Sequence, residues 1–335
     1  MGGGGSYYGR DTTSTARSQT SRGYSDDAER ALGQRKMDPE LLPKGWKLIC
    51  TARNPLVYDF DVTGSMGTLP KIIWDKWPGI VGQIVAREYL NDPEMSITAT
   101  GDIRSDNSPL QMCDFDKLRN LDRWLKRIHF EGIGGGQGSE SYELTAYYYL
   151  HYLEMPHAEL PIYLMTGDEA CVEKLYADDL KRHFGGEHED TTAEAVFAAL
   201  LKKFQGNVFR IHRRYNGHNY VENWDNHSIV AQWERLLGKE RVIHLPEDRA
   251  IGDVTLGLYA IVSGARTLDQ YLEDMCTRPL DLAEGVHFEP QSEERIRAVG
   301  KALEPLRGFE PLVKHHASRD TKHPDADSTR QRRTT

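Results

Sequence analysis

Residues 57–67 read "VYDFDVTGSMG". Val57, Tyr58 and Phe60 suit a strand, and the residues after them suit a loop leaving it. Asp61, Thr63 and Ser65 stand at alternate positions. A chain that curls after the strand can turn all three oxygens toward one hard cation, with Gly64 and Gly67 supplying the freedom for a tight curl. Taken in isolation, the same residues are also the ordinary turn formers and helix caps that end strands. The surrounding sequence has to decide between these readings.

Around this stretch, strand-like and helix-like segments alternate. Leu56–Phe60 predicts a buried strand, and "GIVGQIVAREYL" a helix with Ile80, Ile84 and Val85 on one face. "MSITATGD" and "PLQMCDF" predict two short strands joined by a polar turn. "KLRNLDRWLKRIHF" predicts a helix on the spacing of Leu118, Leu121, Leu125 and Ile128, and "ESYELTAYYYLHYL" a second one with an aromatic stripe belonging to the core. "LPIYLMTGD" reads as an apolar strand with a polar tip, and "TTAEAVFAALLKKF" as a helix opened by Thr191 and Glu194 in capping-box spacing. "NVFRIHRRY" and "RVIHL" are the last strands, followed by the helix "IGDVTLGLYAIVSG". Helices between buried strands imply an α/β fold: a central, mostly parallel sheet with helices on both faces and one antiparallel edge. Ligands in such sheets sit where strands end, and both "DFDVTGS" and "MTGD" fall there.

Composition bounds the functions. The chain has 335 residues, 39% hydrophobic and 28% charged, which suits a soluble globular protein with extra polar segments. A net charge of −9 argues against a general nucleic-acid binder. No apolar run approaches the roughly 18 residues of a membrane span, and the N-terminus lacks the apolar core of a secretory signal. Cys50, Cys113, Cys171 and Cys276 form no CxxC pair, which argues against structural zinc and for a reducing, cytoplasmic setting. The expected organisation is a disordered arm over 1–40, one α/β domain over 41–280, a helical extension over 281–312 ("SEERIRAVGKALEPL") and a disordered tail over 313–335.

The first loop and the second strand tip make the metal reading concrete. Asp168 in "MTGD" adds a carboxylate to Asp61, Thr63 and Ser65, an oxygen-only set that suits Mg2+, with Mn2+ or Ca2+ as alternatives. "DVTGSMG" resembles the Asp-x-Ser-x-Ser motif of von Willebrand factor A (vWA) domains, with Thr63 as the middle hydroxyl. "LPIYLMTGDEA" resembles the strand and Asp of that family's third loop. The resemblance covers roughly residues 50 to 275. It implies a Rossmann-like vWA fold and a metal-ion-dependent adhesion site (MIDAS), similar to that of intracellular prokaryotic or kinase-associated members. Where the family's second loop offers a Thr, "EGIGGGQGSESYELTAYYYL" offers Glu140. A Glu here resembles integrin β-subunit domains and the "GPE" of kinase-associated A domains. With Asp61, Glu140 and Asp168 the ion would meet three carboxylates, so Glu140 is expected to close the open position until a partner displaces it. The implied function is non-catalytic: a scaffold or adaptor binding an acidic side chain of a protein partner. That partner is expected to be a separate protein, such as an AAA+ ATPase or a kinase, with no nucleic acid and no membrane involved.

The enzymatic alternative reads "DFDVT" as the Asp-x-Asp-x-Thr nucleophile motif that it resembles in haloacid-dehalogenase-like phosphatases. Asp59 would attack phosphorus and Asp61 act as acid/base beside Mg2+, with Thr166, Lys174 or Lys181, and Asp253 completing the set. Against it, "GSMG" stands where an apolar residue belongs, and the glycine run at 134–138 has no role.

Other features read more plainly. "GIGGGQGS" lacks the Lys-Ser or Lys-Thr of a phosphate loop and instead delivers Glu140, with Ser139 as helix cap; Glu140 and Glu143 also suit the positive end of that helix. His183, His188, His212, His218 and His227 have no ligand spacing, and Asp102 and Asp106 form a polar turn that could flank a second cation. Asp59 shares the side of Asp61 and, if buried, needs a partner such as a backbone amide or Ser65.

Overall fold

The computed structural model describes residues 25, 26, 28, 29, 37–104, 106, 109–130, 139–216, 225–277, 291–310 and 329–332. The disorder expected of most of the two arms, the glycine run at 134–138 and His218 lie outside these residues. The chain divides into two compact units, one within 34–67, 92–242 and 320–335, the other within 1–33, 68–91 and 243–319.

The first unit is a mixed α/β fold. Its strands include β1 (Trp46–Ile49), β2 (Pro55–Asp61), β3 (Glu94–Thr100), β4 (Leu110–Met112), β5 (Asp116–Lys117), β6 (Ser139–Glu140), β7 (Leu153–Glu154), β8 (Ile162–Gly167), β9 (Ala170–Cys171), β10 (Val208–His212) and β11 (Thr329–Arg332), besides a short antiparallel pair, Lys174–Leu175 with Thr191–Thr192. Its longer helices are α1 (Tyr142–Tyr152), α2 (Ala177–Phe184), α3 (Ala193–Lys203) and α4 (Asn226–Leu237).

Among the described residues the main sheet has seven strands and includes the order β10-β8-β2-β3-β4; the expected strand in "RVIHL" is present as Val242–His244 at the outer side of β10. β2 pairs in parallel with β3, Asp61 facing Thr100, and with β8, Phe60 facing Thr166. β10 joins β8 in parallel, with His212 opposite Gly167. The hairpin expected from "MSITATGD" and "PLQMCDF" is present, Thr98 pairing antiparallel with Met112, and β5 pairs antiparallel with the start of β3. Every residue of β2 and β3 is buried, as for strands covered on both faces. This register brings the C-terminal ends of β2, β8 and β10 to one crest.

Helix α1 docks through its tyrosines. Tyr142, Tyr148 and Tyr149 are buried, and the Tyr149 hydroxyl lies 2.6 Å from Ser96 Oγ and 2.5 Å from Thr98 Oγ1. Lys203 caps the other end of α1, Nζ donating to the carbonyls of Leu150 (2.7 Å) and Leu153 (2.5 Å).

Several local expectations are corrected. The spacing of Leu118, Leu121, Leu125 and Ile128 reports burial but not a continuous helix. The chain makes a 3-10 turn at Leu118–Asn120 and one helical turn at Asp122–Leu125, with Asp116 accepting from Asn120 and from the Trp124 indole. The α3 cap is Thr192, whose hydroxyl accepts from Ala195 N–H, and not Thr191. Ser139 does not cap α1; it lies with Glu140 in β6, parallel to β9. The tail read as disordered holds a strand at 329–332, pairing antiparallel with β1.

The second unit is helical. Its helix Leu69–Ala86 begins ten residues before Gly79, where the sequence pattern places its start, and it contains Pro78, because a buried face carrying Ile72, Ile73 and Trp77 outweighs the hydrogen bond a proline forfeits. Ile251–Val262 is buried along its whole length. Asp274 of the helix Leu268–Cys276 accepts from Arg87, Tyr89 and Arg266 at 2.8–2.9 Å. Among the described residues no helix is long and apolar enough to cross a membrane, and the four cysteines are free.

Candidate metal centre

The crest of β2 and β8 gathers the first-loop residues with Asp168. Thr63 folds back on Asp61, its backbone N–H (2.8 Å) and its Oγ1 (2.5 Å) both donating to Asp61 Oδ1, a turn closed by the carboxylate itself. The 3-10 turn Gly64–Met66 comes next, and Gly67 takes φ +55°, so Gly67 supplies the conformational freedom that the curl needs. Thr63 Oγ1 lies 3.1 Å from Ser65 Oγ, which in turn donates to Asp168 Oδ1 at 2.9 Å. An unbroken run of oxygens thus joins Asp61 to Asp168 across two strand ends. Asp61, Thr63 and Asp168 are buried, while Ser65 is partly open.

Glu140 stands apart from this run. It is 3% exposed, and its Oε2 is buried without a hydrogen-bond partner. Among the described residues no group of three or more His, Cys, Asp or Glu side chains is gathered closely enough to hold a metal.

Burial raises every carboxyl here. It pushes Asp61 up to about 7, with Asp168 adding to it, and raises Asp168 itself. Glu140 rises to about 11 through burial and then Asp61, and Glu169 to about 8 through burial and then Asp168. Hydroxyls and arginines counteract this only in part: Thr63 and Tyr142 lower Asp61, and Ser65, Arg213 and Arg210 lower Asp168.

Three residues that motif reading overlooked complete the centre. Arg213, just after β10, donates through Nη1 to Ser65 O (3.0 Å) and Asp168 Oδ2 (3.3 Å), tying the first loop to the third. The Tyr142 hydroxyl donates to Asp61 Oδ2 at 2.5 Å. Fully buried Arg210 lies over the rings of Tyr142 (4.4 Å) and Trp233 (4.0 Å) and donates through Nη2 to Glu169 O at 2.9 Å. An arginine inside the apolar run "NVFRIH" was the available signal, since a buried charge demands partners.

Of the residues of the phosphatase alternative, Thr166 stands opposite Phe60 in the β8–β2 register, between the positions of Asp59 and Asp61. Asp59 is 1% exposed and accepts from Thr100 Oγ1 (2.6 Å) and the Tyr163 hydroxyl (3.1 Å), so its partners are neither a backbone amide nor Ser65. Lys174 pairs with Asp190 and Lys181 with Glu187 at the surface, and Asp253 belongs to the helical unit. His188 bonds Tyr147 and the Gly185 carbonyl, and His212 bonds Asn226. Asp102 Oδ1 and Asp106 Oδ2 accept backbone amides of their own turn.

Glu143, one turn into α1, yields a pH prediction. It is 2% exposed, accepts from Val172 N–H at 3.1 Å, and burial pushes its carboxyl up to about 8. Arg104 opposes that rise and Asp102 adds to it. A folded-state value above the unfolded one contributes stability that is complete below about pH 4.3 and lost as pH rises toward 8. Glu143→Gln keeps the acceptor for Val172 and removes the titration. The variant is therefore expected to gain thermal stability over wild type above pH 8 and to show a flatter melting profile between pH 5 and pH 9.

No family model and no curated protein matches the chain. Solved structures that match it include the pilus adhesin SpaC from Lactobacillus rhamnosus GG, at TM-score 0.45 and 10% identity, over 65% of this chain and 32% of the adhesin. Proximal thread matrix protein 1 from the mussel byssus matches at TM-score 0.40 and 10% identity, over 64% of this chain and 47% of that protein. The chain thus spans 32% of the adhesin's length and 47% of the matrix protein's.

Proposed function

We propose that this chain is a non-catalytic, divalent-cation-dependent protein-interaction module of the vWA type, a scaffold or adaptor built on that family's mostly parallel, Rossmann-like sheet. Its MIDAS-like site consists of Asp61, Thr63, Ser65 and Asp168 holding Mg2+. The observation that supports this most is the run of oxygens from Asp61 through Thr63 and Ser65 to Asp168. The donor set fits a hard cation: two carboxylates and two hydroxyls, all oxygen, suited to an ion that keeps several waters. It needs no third carboxylate. Glu140 fits as well, because a buried carboxylate oxygen without a partner is costly, and a cation or its water removes that cost.

Bound there, the ion would supply a coordination position for an acidic side chain of a protein partner. Thr63 and Ser65 orient the donors, Arg213 holds the first loop against the third, and Glu140 guards the open position. By resemblance, the partner is an AAA+ ATPase or a kinase encoded separately, in the cytoplasm.

Calorimetric titration of the chelator-stripped chain with MgCl2 and MnCl2 tests the site. Saturable heat is expected, lost in Asp61→Ala and weakened about tenfold in Ser65→Ala, the loss of one hydroxyl contact. Absence of heat with both ions overturns the proposal. Pull-down with and without chelator then tests the partner: capture should require the metal and vanish in Ser65→Ala. Phosphatase turnover abolished by Asp59→Asn would decide for the enzymatic alternative.

A further inference from the structure

The edge of β1 is occupied by a distant segment of the same chain, Thr329–Arg332. Trp46, Lys47, Leu48 and Ile49 pair antiparallel with Arg332, Gln331, Arg330 and Thr329. On its other side β1 pairs in parallel with β7. Without β11, β1 would present the row of unpaired N–H and C=O groups that makes an edge strand a template for another segment.

The side chain of Arg330 gives this pairing a specific anchor. It is 9% exposed, and Nε lies 2.6 Å from Asp114 Oδ1, an ion pair whose N–H direction is not aligned for a hydrogen bond. Nη2 donates to the Met112 carbonyl at 2.6 Å, Nη1 reaches the Glu40 carbonyl, and the guanidinium lies 5.6 Å from the centroid of the Trp46 ring. One carboxylate, two carbonyls and an aromatic face converge on a planar cation, the arrangement that distinguishes arginine from lysine. Among the described side chains of this strand, Thr329 and Gln331 are exposed while Arg330 is held, so Arg330 is the position that the groove reads along an extended backbone.

We propose that β1, together with Asp114, Trp46 and the carbonyls of Glu40 and Met112, forms a peptide-binding groove for an extended, arginine-bearing segment, with Thr329–Arg332 as its built-in ligand. The tail is a tethered competitor, present at an effective concentration on the order of millimolar, so a free peptide meets a blocked groove in the wild-type chain. Weakening the tail opens it. This site is independent of the metal centre, and its test contains no metal.

The test uses the 335-residue chain carrying Arg330→Ala and a fluorescent peptide of residues 325–335, "DADSTRQRRTT", read by anisotropy. The variant is expected to bind the peptide saturably, and the wild-type chain at least tenfold more weakly, the tethered tail being the competitor. A peptide with Arg330→Ala should bind the same chain on the order of 30-fold more weakly, as should the wild-type peptide offered to a chain carrying both Arg330→Ala and Asp114→Asn. Changes confined to the peptide leave folding of the chain untouched, so that arm stands whatever a groove variant does. Equal binding of the two peptides, equal binding by wild-type and Arg330→Ala chains, or no binding at all overturns the proposal.

Discussion

Arg210→Met is expected to destabilise the chelated chain by about 2–3 kcal/mol at alkaline pH, the loss of a charged hydrogen bond to Glu169 O and of a counter-charge near buried carboxylates, and by less near pH 5. Arg210 is fully buried on β10, and its charge acts on Asp59 and Asp168. Two effects oppose each other. Its Nε and Nη1 lack hydrogen-bond partners, so removing the guanidinium relieves a desolvation cost. Removing it also leaves carboxylates without their buried counter-charge and strips the faces of Tyr142 and Trp233 of a cation. The balance depends on whether the carboxyls are ionised.

Burial pushes Asp59 up to about 7. Below that pH the folded chain carries Asp59 protonated and gains little from Arg210; above it the anion forms and the arginine stabilises. The loss in Arg210→Met should therefore grow as pH rises through 7. Urea unfolding in chelator at about pH 5 and pH 8.5 reads the difference directly. A loss equal at both would assign Arg210 to packing alone. Arg210→Lys is expected to rescue poorly, since an ammonium cannot reproduce the flat contact with two rings or the reach to Glu169 O.

Legibility in the sequence tracks the range of each interaction. Asp61, Thr63 and Ser65 were legible because their contacts are made within five residues, and the turn that joins them is encoded locally. Asp168 was legible because an apolar strand with a polar tip marks a sheet end. Arg210 and Arg213 were not: both depend on β10 lying beside β8, a pairing that no local pattern declares. Glu140 was expected at the start of a helix and lies instead in a strand. Its two-residue strand exists because β9 lies alongside it, which spacing from a helix start cannot reveal. Likewise "TRQR" carries no strand signal of its own. Its order comes from Trp46 and Asp114, both more than 200 residues earlier in the chain.

Gly167→Ala is expected to cost about 3 kcal/mol, the upper part of the range for overpacking a well-filled core, and to disturb the metal centre with it. Gly167 ends β8, and a Cβ there would meet the Tyr142 hydroxyl at 2.0 Å and ring carbons at 2.6 and 2.8 Å. Such contacts are tolerable only if the neighbour can withdraw. Tyr142 cannot: it is fully buried, 5.4 Å edge-on to Trp233, beneath Arg210, and hydrogen-bonded to Asp61. Moving the ring leaves Asp61 Oδ2 without its donor, so a packing change at the strand end becomes an electrostatic change at the crest. Tyr142→Ala should cost stability by itself yet restore part of what Gly167→Ala loses. The two are expected to couple by about 1–3 kcal/mol in a double-mutant cycle, because the residues occupy one space. Gly79→Ala is the control: nothing lies within 4 Å of its Cβ position in the helix Leu69–Ala86, so helix propensity alone predicts a gain of about 0.5–1 kcal/mol. Additive losses at positions 167 and 142 would mean that the strand end yields instead of the tyrosine, and that Asp61 keeps its donor without help from a glycine.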